Sequence, residues 1–509
     1  MSGAILRLAL ADEAATRRLG EDIAAILKPG DLVLLSGDLG AGKSTLARSL
    51  IRAVADDETL DVPSPTFTLV QSYPLRLTLS HFDLYRIADA GEIDELGLDE
   101  ALGLGAALVE WPERGGSMLP AGALRIRLED EGEGRVATID TPGDWPERIA
   151  RTLSVRCFLD RSGWPGAARR HLQGDASTRA YERISRPETF GAGESAVLMN
   201  APARAPGPPL PGGGTYDEVA HRAIDVRPFI AMDEAIRAAG FSAPAIFAAD
   251  MGDGLLLLED LGSESLLKAG EPDFERYALA VEVLAEIHAV PRARHWKLPD
   301  GTDYRLPRFD VAAFAIEADL AIRWYAPLLG VTLSNEAEAA FASIWQQLFQ
   351  RLDRTEKSWL LRDYHSPNLL FLPHRHGTAR IGILDHQDAM IGASAYDVAS
   401  LGQDVRVAVA PGFESALKAR YVARRHALGA FDEVAFAEAY AISGAQRTTK
   451  VLGGFARLAA SGKPQYLRHI PRVWDYLRRN FQHPVLSDLA LWYESYLPYD
   501  DKSAPSGSP

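Results

Sequence analysis

The stretch Gly37-Asp38-Leu39-Gly40-Ala41-Gly42-Lys43-Ser44-Thr45 comes directly after the apolar run Leu32–Leu35 and opens a helical pattern over Ser44–Ala55. Glycines at these spacings let successive backbone N–H groups turn inward around phosphate oxygens, and the start of the helix adds partial positive charge. Strand, loop and helix in this order predict a P-loop in an α/β domain. Asp38, Gly40, Ala41, Gly42, Lys43, Ser44 and Thr45 are expected around the phosphates of ATP. Lys43 is expected to reach the terminal phosphates, and the Ser44 hydroxyl to ligate Mg2+.

Outward from the loop, the apolar runs Leu79–Phe82 and Ala106–Val109 alternate with helical patterns, as in a wound α/β sheet. Residues 1–153 are expected to form this domain. Hydrolysis of ATP also needs a metal-holding acid and a group that orients water. Two carboxylates stand at strand ends, Asp83 in His81-Phe82-Asp83-Leu84-Tyr85-Arg86 and Glu110 after Val109. Either alone has the pattern of a solvated surface acid as well.

Together with Ser64-Pro65-Thr66-Phe67 and Val109-Glu110-Trp111, these motifs resemble the TsaE family in order and spacing. That family is the ATPase subunit of the bacterial machinery that places threonylcarbamoyl on a tRNA adenosine beside the anticodon. The resemblance implies that Lys43 binds phosphates and that Ser44 and Glu110 hold magnesium. It makes Asp83 a further catalytic acid and Ser64–Phe67 a switch-like loop, and it implies TsaB and TsaD as partners. Trp111 either stacks near the nucleotide or packs at a strand end.

A second chemical signature lies in Leu361-Arg362-Asp363-Tyr364-His365-Ser366-Pro367-Asn368, followed after the strand Ile381–Leu384 by Asp385-His386-Gln387-Asp388. An Asp, four residues, an Asn, and then an Asp at a strand end is the kinase catalytic arrangement. Asp363 would accept the proton of the attacking hydroxyl, while Asn368 and Asp385 would hold Mg2+ against the ATP phosphates. Upstream, Gly174–Arg179 sits where a phosphate-covering loop belongs, which puts Ser177 and Arg179 among the nucleotide contacts. A plain β-turn is the alternative there. Leu255–Gly262 reads as the hinge between two lobes. Residues 154–490 are expected to form this bilobal α+β domain, with helices over Phe274–Ala289, Asn335–Leu352 and Glu433–Leu458, and residues 491–509 a tail.

These motifs, with Tyr396-Asp397, Gln446-Arg447 and Gly453–Leu458, resemble the aminoglycoside phosphotransferase-like kinases. Among them the AmgK family, which phosphorylates the anomeric hydroxyl of N-acetylmuramate and N-acetylglucosamine in cell-wall recycling, is most similar. The phosphate-pairing lysine of wider kinases is missing from Ala196-Val-Leu-Met-Asn200, and Arg179 could replace it. Asp388 either orients the metal site or hydrogen-bonds the catalytic loop. Asp397 and Gln446 either support helix packing or touch substrate, Asp404 and Arg406 read equally as a buried ion pair, and His365 has a structural reading. The alternatives for this half are a kinase for an aminoglycoside or choline-like amine, and a non-catalytic pseudokinase.

The whole chain fits this division. Its 509 residues exceed what one core usually holds, and 47% hydrophobic with 24% charged residues is a globular composition. With 54 basic and 69 acidic residues the net charge is -15, so tRNA is expected to be engaged only indirectly, through a partner. The single cysteine, Cys157, cannot form an internal disulfide, which fits the cytoplasm. No apolar run approaches the roughly 20 residues that span a bilayer.

Overall fold

The computed structural model describes residues 4–87, 92–172, 179–186, 194–210 and 212–499. Ser177 and the tail residues 500–509 lie outside the described residues. The chain divides into two compact units, Met1–Pro202 with Ile246–Asp260, and Ala203–Ala245 with Leu261–Pro509.

In the first unit, β1 (Ala4–Leu10), α1 (Glu13–Ala24), β2 (Leu32–Ser36), α2 (Lys43–Ala55), β3 (Val70–Tyr73) and β4 (Leu79–Asp83) are followed by α3 (Glu92–Glu95), α4 (Leu98–Leu104), β5 (Ala106–Glu110), β6 (Leu124–Glu131) and β7 (Gly134–Thr141). The strands form one mixed sheet in the order β1-β7-β6-β2-β5-β4-β3. β2 runs parallel to β5 and β6, and β4 parallel to β5; their apolar runs are continuous because both faces are covered. This is the α/β P-loop fold read from the sequence.

α5 (Trp145–Arg161) leads out of this sheet. Its first half buries Trp145 and Ile149 in the P-loop core, and its second half buries Val155, Phe158 and Leu159 in the core of another sheet. The boundary expected at 153 therefore falls in mid-helix, where α5 passes from one core to the other. The second sheet is antiparallel, order β11-β12-β10-β9-β8, from β8 (Ala168–Leu172), β9 (Ala180–Ser185), β10 (Ser195–Asn200), β11 (Ile246–Asp250) and β12 (Leu255–Glu259). α1 and α2 both pack on β8.

A buried ionic network ties these layers. Arg169 of β8, 3% exposed, donates through Nε and Nη2 to Glu182 of β9 at 2.6 and 2.8 Å, and through Nη1 to Asp22 of α1 at 2.7 Å and Thr152 Oγ1 of α5 at 2.9 Å. Arg156 of α5 adds a 2.6 Å bond to Asp22. Asn200, which ends β10, the strand that lacks the phosphate-pairing lysine, accepts from Arg151 Nε at 3.1 Å.

The second unit is mostly helical. It holds α6 (Tyr216–Val219), α7 (Arg227–Ala238), two short hairpins, β13 (Leu267–Lys268) with β14 (Glu271–Pro272) and β15 (His295–Lys297) with β16 (Asp303–Arg305), and α8 (Phe274–His288). α9 (Val311–Leu320) continues through a π-helical turn, Ala321–Tyr325, into α10 (Ala326–Leu328), and α11 (Asn335–Leu352) follows. Next come β17 (Lys357–Leu360), β18 (Leu369–Phe371), β19 (Ile381–Ile383) and β20 (Met390–Ala393). α12 (Ala395–Gly402), α13 (Pro411–Leu428), α14 (Glu433–Ala460), α15 (Ile470–Asn480) and α16 (Ser487–Tyr496) close the unit. The tail expected from 491 starts later, because α16 runs to Tyr496 and Trp492, Tyr493 and Leu497 are buried in the helical core. Among the described residues no helix is long and apolar enough to cross a membrane.

Candidate active sites

In the first unit the P-loop joins β2 to α2. Gly42 is the N-cap of α2 at φ 101, and Gly37 has φ 136 with a Cβ there meeting Leu128 O at 2.3 Å, so both positions require glycine. Asp38 and Gly40 are exposed at the loop tip, Ala41 is buried, and Thr45 follows Ser44 in the first turn of the helix. Lys43 Nζ donates to Gly37 O at 2.6 Å and Asp38 O at 2.8 Å and lies 3.6 Å from the Trp111 ring centroid. Burial pulls its pKa below the usual lysine value, opposed chiefly by the Glu110 carboxylate.

The ladder explains why the acids converge. Leu35 pairs with Glu110, and Asp83 with Glu110, so two carboxylates stand side by side at the carboxyl ends of neighbouring strands, next to the loop. Ser44 Oγ donates to Glu110 Oε2 at 2.9 Å, and Glu110 Oε1 lies 3.0 Å from His81 Nε2. Asp83 accepts from Ser64 Oγ and Thr66 Oγ1, both at 2.9 Å, and so anchors the 64–67 loop. Trp111, at φ 60, forms a cation–π contact with Lys43 and packs on Tyr85 with ring centroids 5.1 Å apart. Trp111 thus packs at the strand end, against Lys43 of the P-loop. His81 belongs to the quoted motif, but its role as the partner of Glu110 was not read from sequence.

In the second unit β18 and β19 pair Leu369 with Ile383, and Leu384 N donates to Asn368 O at 2.9 Å. That hairpin brings the residues just beyond its ends together. Asn368 Nδ2 donates to Asp363 O at 3.0 Å and to Asp385 Oδ2 at 3.3 Å. Asp363, Asn368 and Asp385 thus form one cluster. Arg362 and Asp385 adopt left-handed backbone, φ 72 and φ 53, a costly conformation that persists where surroundings impose it. At Arg362, Asp397 of α12 does so, accepting from Leu361 N at 2.6 Å and Arg362 N at 2.9 Å. Burial raises its pKa to about 7.

The Arg362 side chain, buried, donates to Ala220 O at 2.9 Å and pairs with Glu317 of α9, which is fully buried. Glu317 also accepts from Gln446 Nε2 at 3.1 Å and lies 2.9 Å from Lys450 Nζ, both on α14. Burial acts to raise the pKa of Asp363, and the cations Lys450, Arg362 and Arg447 overcome it, leaving the carboxyl well below its usual range. His365 lies 2.9 Å from Arg406 Nη1, and burial lowers its pKa to about 4. Asp404 takes Ser366 N at 2.9 Å and Ser366 Oγ at 2.8 Å, and Asp388 takes Ala223 N at 2.7 Å. Asp397, Asp404 and Gln446 therefore bind protein groups that shape the catalytic loop.

Glu317 and Lys450 were missed. The available signal was the stripe Gln446, Lys450, Gly453, Arg457 at three-to-four spacing on one helix face. Arg179 stands half-buried just before β9 in the first unit.

Both clusters offer hard oxygen donors: the Ser44 hydroxyl with the Glu110 carboxylate, and the Asp385 carboxylate with the Asn368 amide oxygen, whose nitrogen is already committed. Magnesium held between protein and nucleotide phosphates needs only one or two carboxylates. No group of three or more His, Cys, Asp or Glu residues able to hold a metal occurs among the described residues. The donor sets fit the ion.

These features define a P-loop NTPase joined in one chain to a kinase-fold phosphotransferase. The family model described as "Threonylcarbamoyl adenosine biosynthesis protein TsaE" matches residues 10–137, and that described as "Phosphotransferase enzyme family" matches residues 168–435. The N-acetylmuramate/N-acetylglucosamine kinase of Caulobacter vibrioides is 34% identical over 365 residues, covering 69% of this chain and 98% of that protein. The enzyme of the same name from Pseudomonas aeruginosa is 31% identical over 363 residues, covering 67% and 95%. The tRNA threonylcarbamoyladenosine biosynthesis protein TsaE of Rickettsia felis is 42% identical over 123 residues, covering 24% of this chain and 71% of that protein. The chain belongs to the TsaE family through its N-terminal part and to the N-acetylmuramate/N-acetylglucosamine kinase family through its C-terminal part.

Proposed function

We propose that the N-terminal part is the ATPase of tRNA threonylcarbamoyladenosine biosynthesis and that the C-terminal part phosphorylates the anomeric hydroxyl of N-acetylmuramate or N-acetylglucosamine. The observation that carries the second reading is the convergence of Asp363, Asn368 and Asp385 in a chain similar along its whole C-terminal part to amino-sugar kinases.

In the ATPase part, backbone N–H groups of residues 38–45 and the Lys43 ammonium bind the phosphates. Ser44 and Glu110 would hold Mg2+, His81 orients Glu110, and Asp83 sets the 64–67 loop and acts as a further catalytic acid. TsaB- and TsaD-type subunits are its partners. The charge of -15 fits a subunit that leaves tRNA to them, in the cytoplasm. Ser177 and Arg179 remain the proposed nucleotide contacts of the kinase part.

In the kinase part, Asp363 accepts the proton of the acceptor hydroxyl while that oxygen bonds to the γ-phosphorus and the bond to the β-phosphate oxygen breaks, releasing ADP. Asn368 and Asp385 would hold Mg2+, which would supply neutralisation of the phosphate charge. Asp397 holds the loop that presents Asp363.

The test is ATP consumption by the full chain carrying Lys43→Ala, which silences the first site, with N-acetylmuramate, N-acetylglucosamine, kanamycin or choline. Amino-sugar-dependent turnover that Asp363→Ala abolishes is the expected result. Turnover with kanamycin or choline alone would move the reading to an amine kinase.

A further inference from the structure

The transferred phosphoryl group carries negative charge into a transition state that cations stabilise. The residues between Asp363 and Asn368 are Tyr364, His365, Ser366 and Pro367, so the catalytic loop itself brings no lysine or arginine forward from Asp363. His365 does not fill the gap, since it is buried against the Arg406 guanidinium, 2.9 Å from Nη1. The sequence also lacks a lysine on β10, where Asn200 is engaged by Arg151. Arg179 is proposed above as a contact of the nucleotide, and a further cation beside Asp363 would stabilise the group in transfer.

α14 brings one. Lys450 enters the cluster from this helix with Nζ 2.9 Å from Glu317 Oε1, and Glu317 is shared with Arg362, the residue immediately before Asp363. Glu317 has zero exposure and is already neutralised by the buried Arg362, so it does not require a second cation to be tolerated. Lys450 keeps one-fifth of its side chain exposed, whereas Arg362 keeps 3%. Of the two cations on Glu317, Lys450 is therefore the less enclosed.

We infer that Lys450, held by Glu317, is a catalytic residue of the kinase part: its ammonium contacts the γ-phosphoryl group as it passes to the acceptor oxygen beside Asp363. Glu317 is then a positioning residue that points the ammonium, and Gln446, one turn earlier on α14, holds Glu317 in turn. The inference rests on the kinase reading of this part.

The test uses the full chain with Lys43→Ala, comparing Lys450→Met and Lys450→Arg, with one neutral acceptor, N-acetylglucosamine, and one anionic acceptor, N-acetylmuramate. Lys450→Met should lower kcat by ~10²–10³-fold for both sugars alike, as for loss of one transition-state donor, with each KM within ~3-fold. Lys450→Arg should recover part of it. Calorimetric binding gives a second readout: the preference for ATP over ADP should shrink in Lys450→Met, because only ATP carries the γ-phosphate. A rise in KM confined to N-acetylmuramate would overturn the inference and make Lys450 a reader of the sugar carboxylate. Unchanged kcat with a lowered melting temperature would overturn it in favour of a structural ion. Should neither sugar be turned over by the unsubstituted chain, the amino-sugar reading fails, and the ATP-against-ADP comparison alone decides the role of Lys450.

Discussion

Replacing Arg169 by Met should destabilise the whole first unit, the P-loop core included. The guanidinium makes bonds to Glu182, Asp22 and Thr152 from a position 3% exposed. Its removal leaves the Glu182 carboxylate, 6% exposed, without its bidentate partner, and leaves Asp22 to Arg156 alone. Breaking a buried pair by deleting one partner costs about 3–5 kcal/mol, most of it the burden of the orphaned charge. For a unit of about 200 residues each kcal/mol lowers Tm by roughly 2–4 °C, so the expected loss is roughly 6–20 °C. Thermal unfolding read by brief proteolysis and mass spectrometry resolves where it occurs. Peptides from α1 and α2 should become labile together with those from β8 and β9. A Tm change below about 3 °C, or lability confined to β8 and β9, would refute the reasoning, since the network would then not bind two layers into one cooperative body. The truncated segment 154–509 makes the same point more severely, because it cuts α5 in mid-helix and removes both Asp22 and Thr152 from Arg169.

Other perturbations have equally definite outcomes. Glu110→Ala should abolish ATP hydrolysis at the P-loop, and His81→Ala should weaken it by a smaller factor, measured as phosphate release without sugar. Asp397→Ala frees two buried N–H groups of the catalytic loop at about 1–3 kcal/mol, so kcat for the sugar should fall at least tenfold with little change in KM. His288 is buried with its pKa lowered from 6.5 to about 3, so the unfolded chain takes up its proton first as pH falls. Its contribution is complete above about pH 6.5 and lost toward pH 3 at up to about 1.4 kcal/mol per pH unit, and in His288→Gln the acid limb of a stability profile should be shallower by about one proton. A Cβ on Gly453 would sit 2.1 Å from the Leu320 carbonyl carbon, so Gly453→Ala should force α14 away from α9. The expected cost is about 1–3 kcal/mol in chemical denaturation, with reduced kcat because Lys450 leaves Glu317.

The motifs that were legible are those whose chemistry is local. A phosphate-binding turn needs its glycines, its strand and its helix within one stretch, and β2, the loop and α2 appear where the sequence places them. The Asp363–Asn368 spacing and the strand before Asp385 are likewise contiguous, and the hairpin closes them into one cluster. Helices α8, α11 and α14 follow the apolar periodicity within two residues at their ends. What stayed hidden depends on partners far apart in sequence. Glu317 meets Lys450 because α9 and α14 pack closely at Gly453, and no local pattern encodes that crossing. The extent of the tail was misjudged for the same reason: Trp492 and Tyr493 are buried because α16 packs on Phe341 of α11 and on Trp474 of α15.

The join between the two parts also changes meaning once α5 is followed. From sequence the two products share no intermediate, and a fusion that only secures joint expression would require no more than a linker. α5 is no linker. Its two halves belong to two cores, α1 and α2 of the ATPase cover β8 of the kinase sheet, and Arg169 joins Asp22 of one part to Glu182 of the other with almost no access to solvent. Buried ion pairs add little net stability over apolar contacts but penalise every misaligned arrangement. The network therefore fixes how the kinase sheet sits on the ATPase helices. Because α2 begins at Lys43 and packs on β8, the helix that carries the P-loop cation is itself part of the support of that sheet. Rearrangement of α2 would have to displace either the sheet or the network, and this makes the ATPase part and the kinase sheet one mechanical body within the first unit.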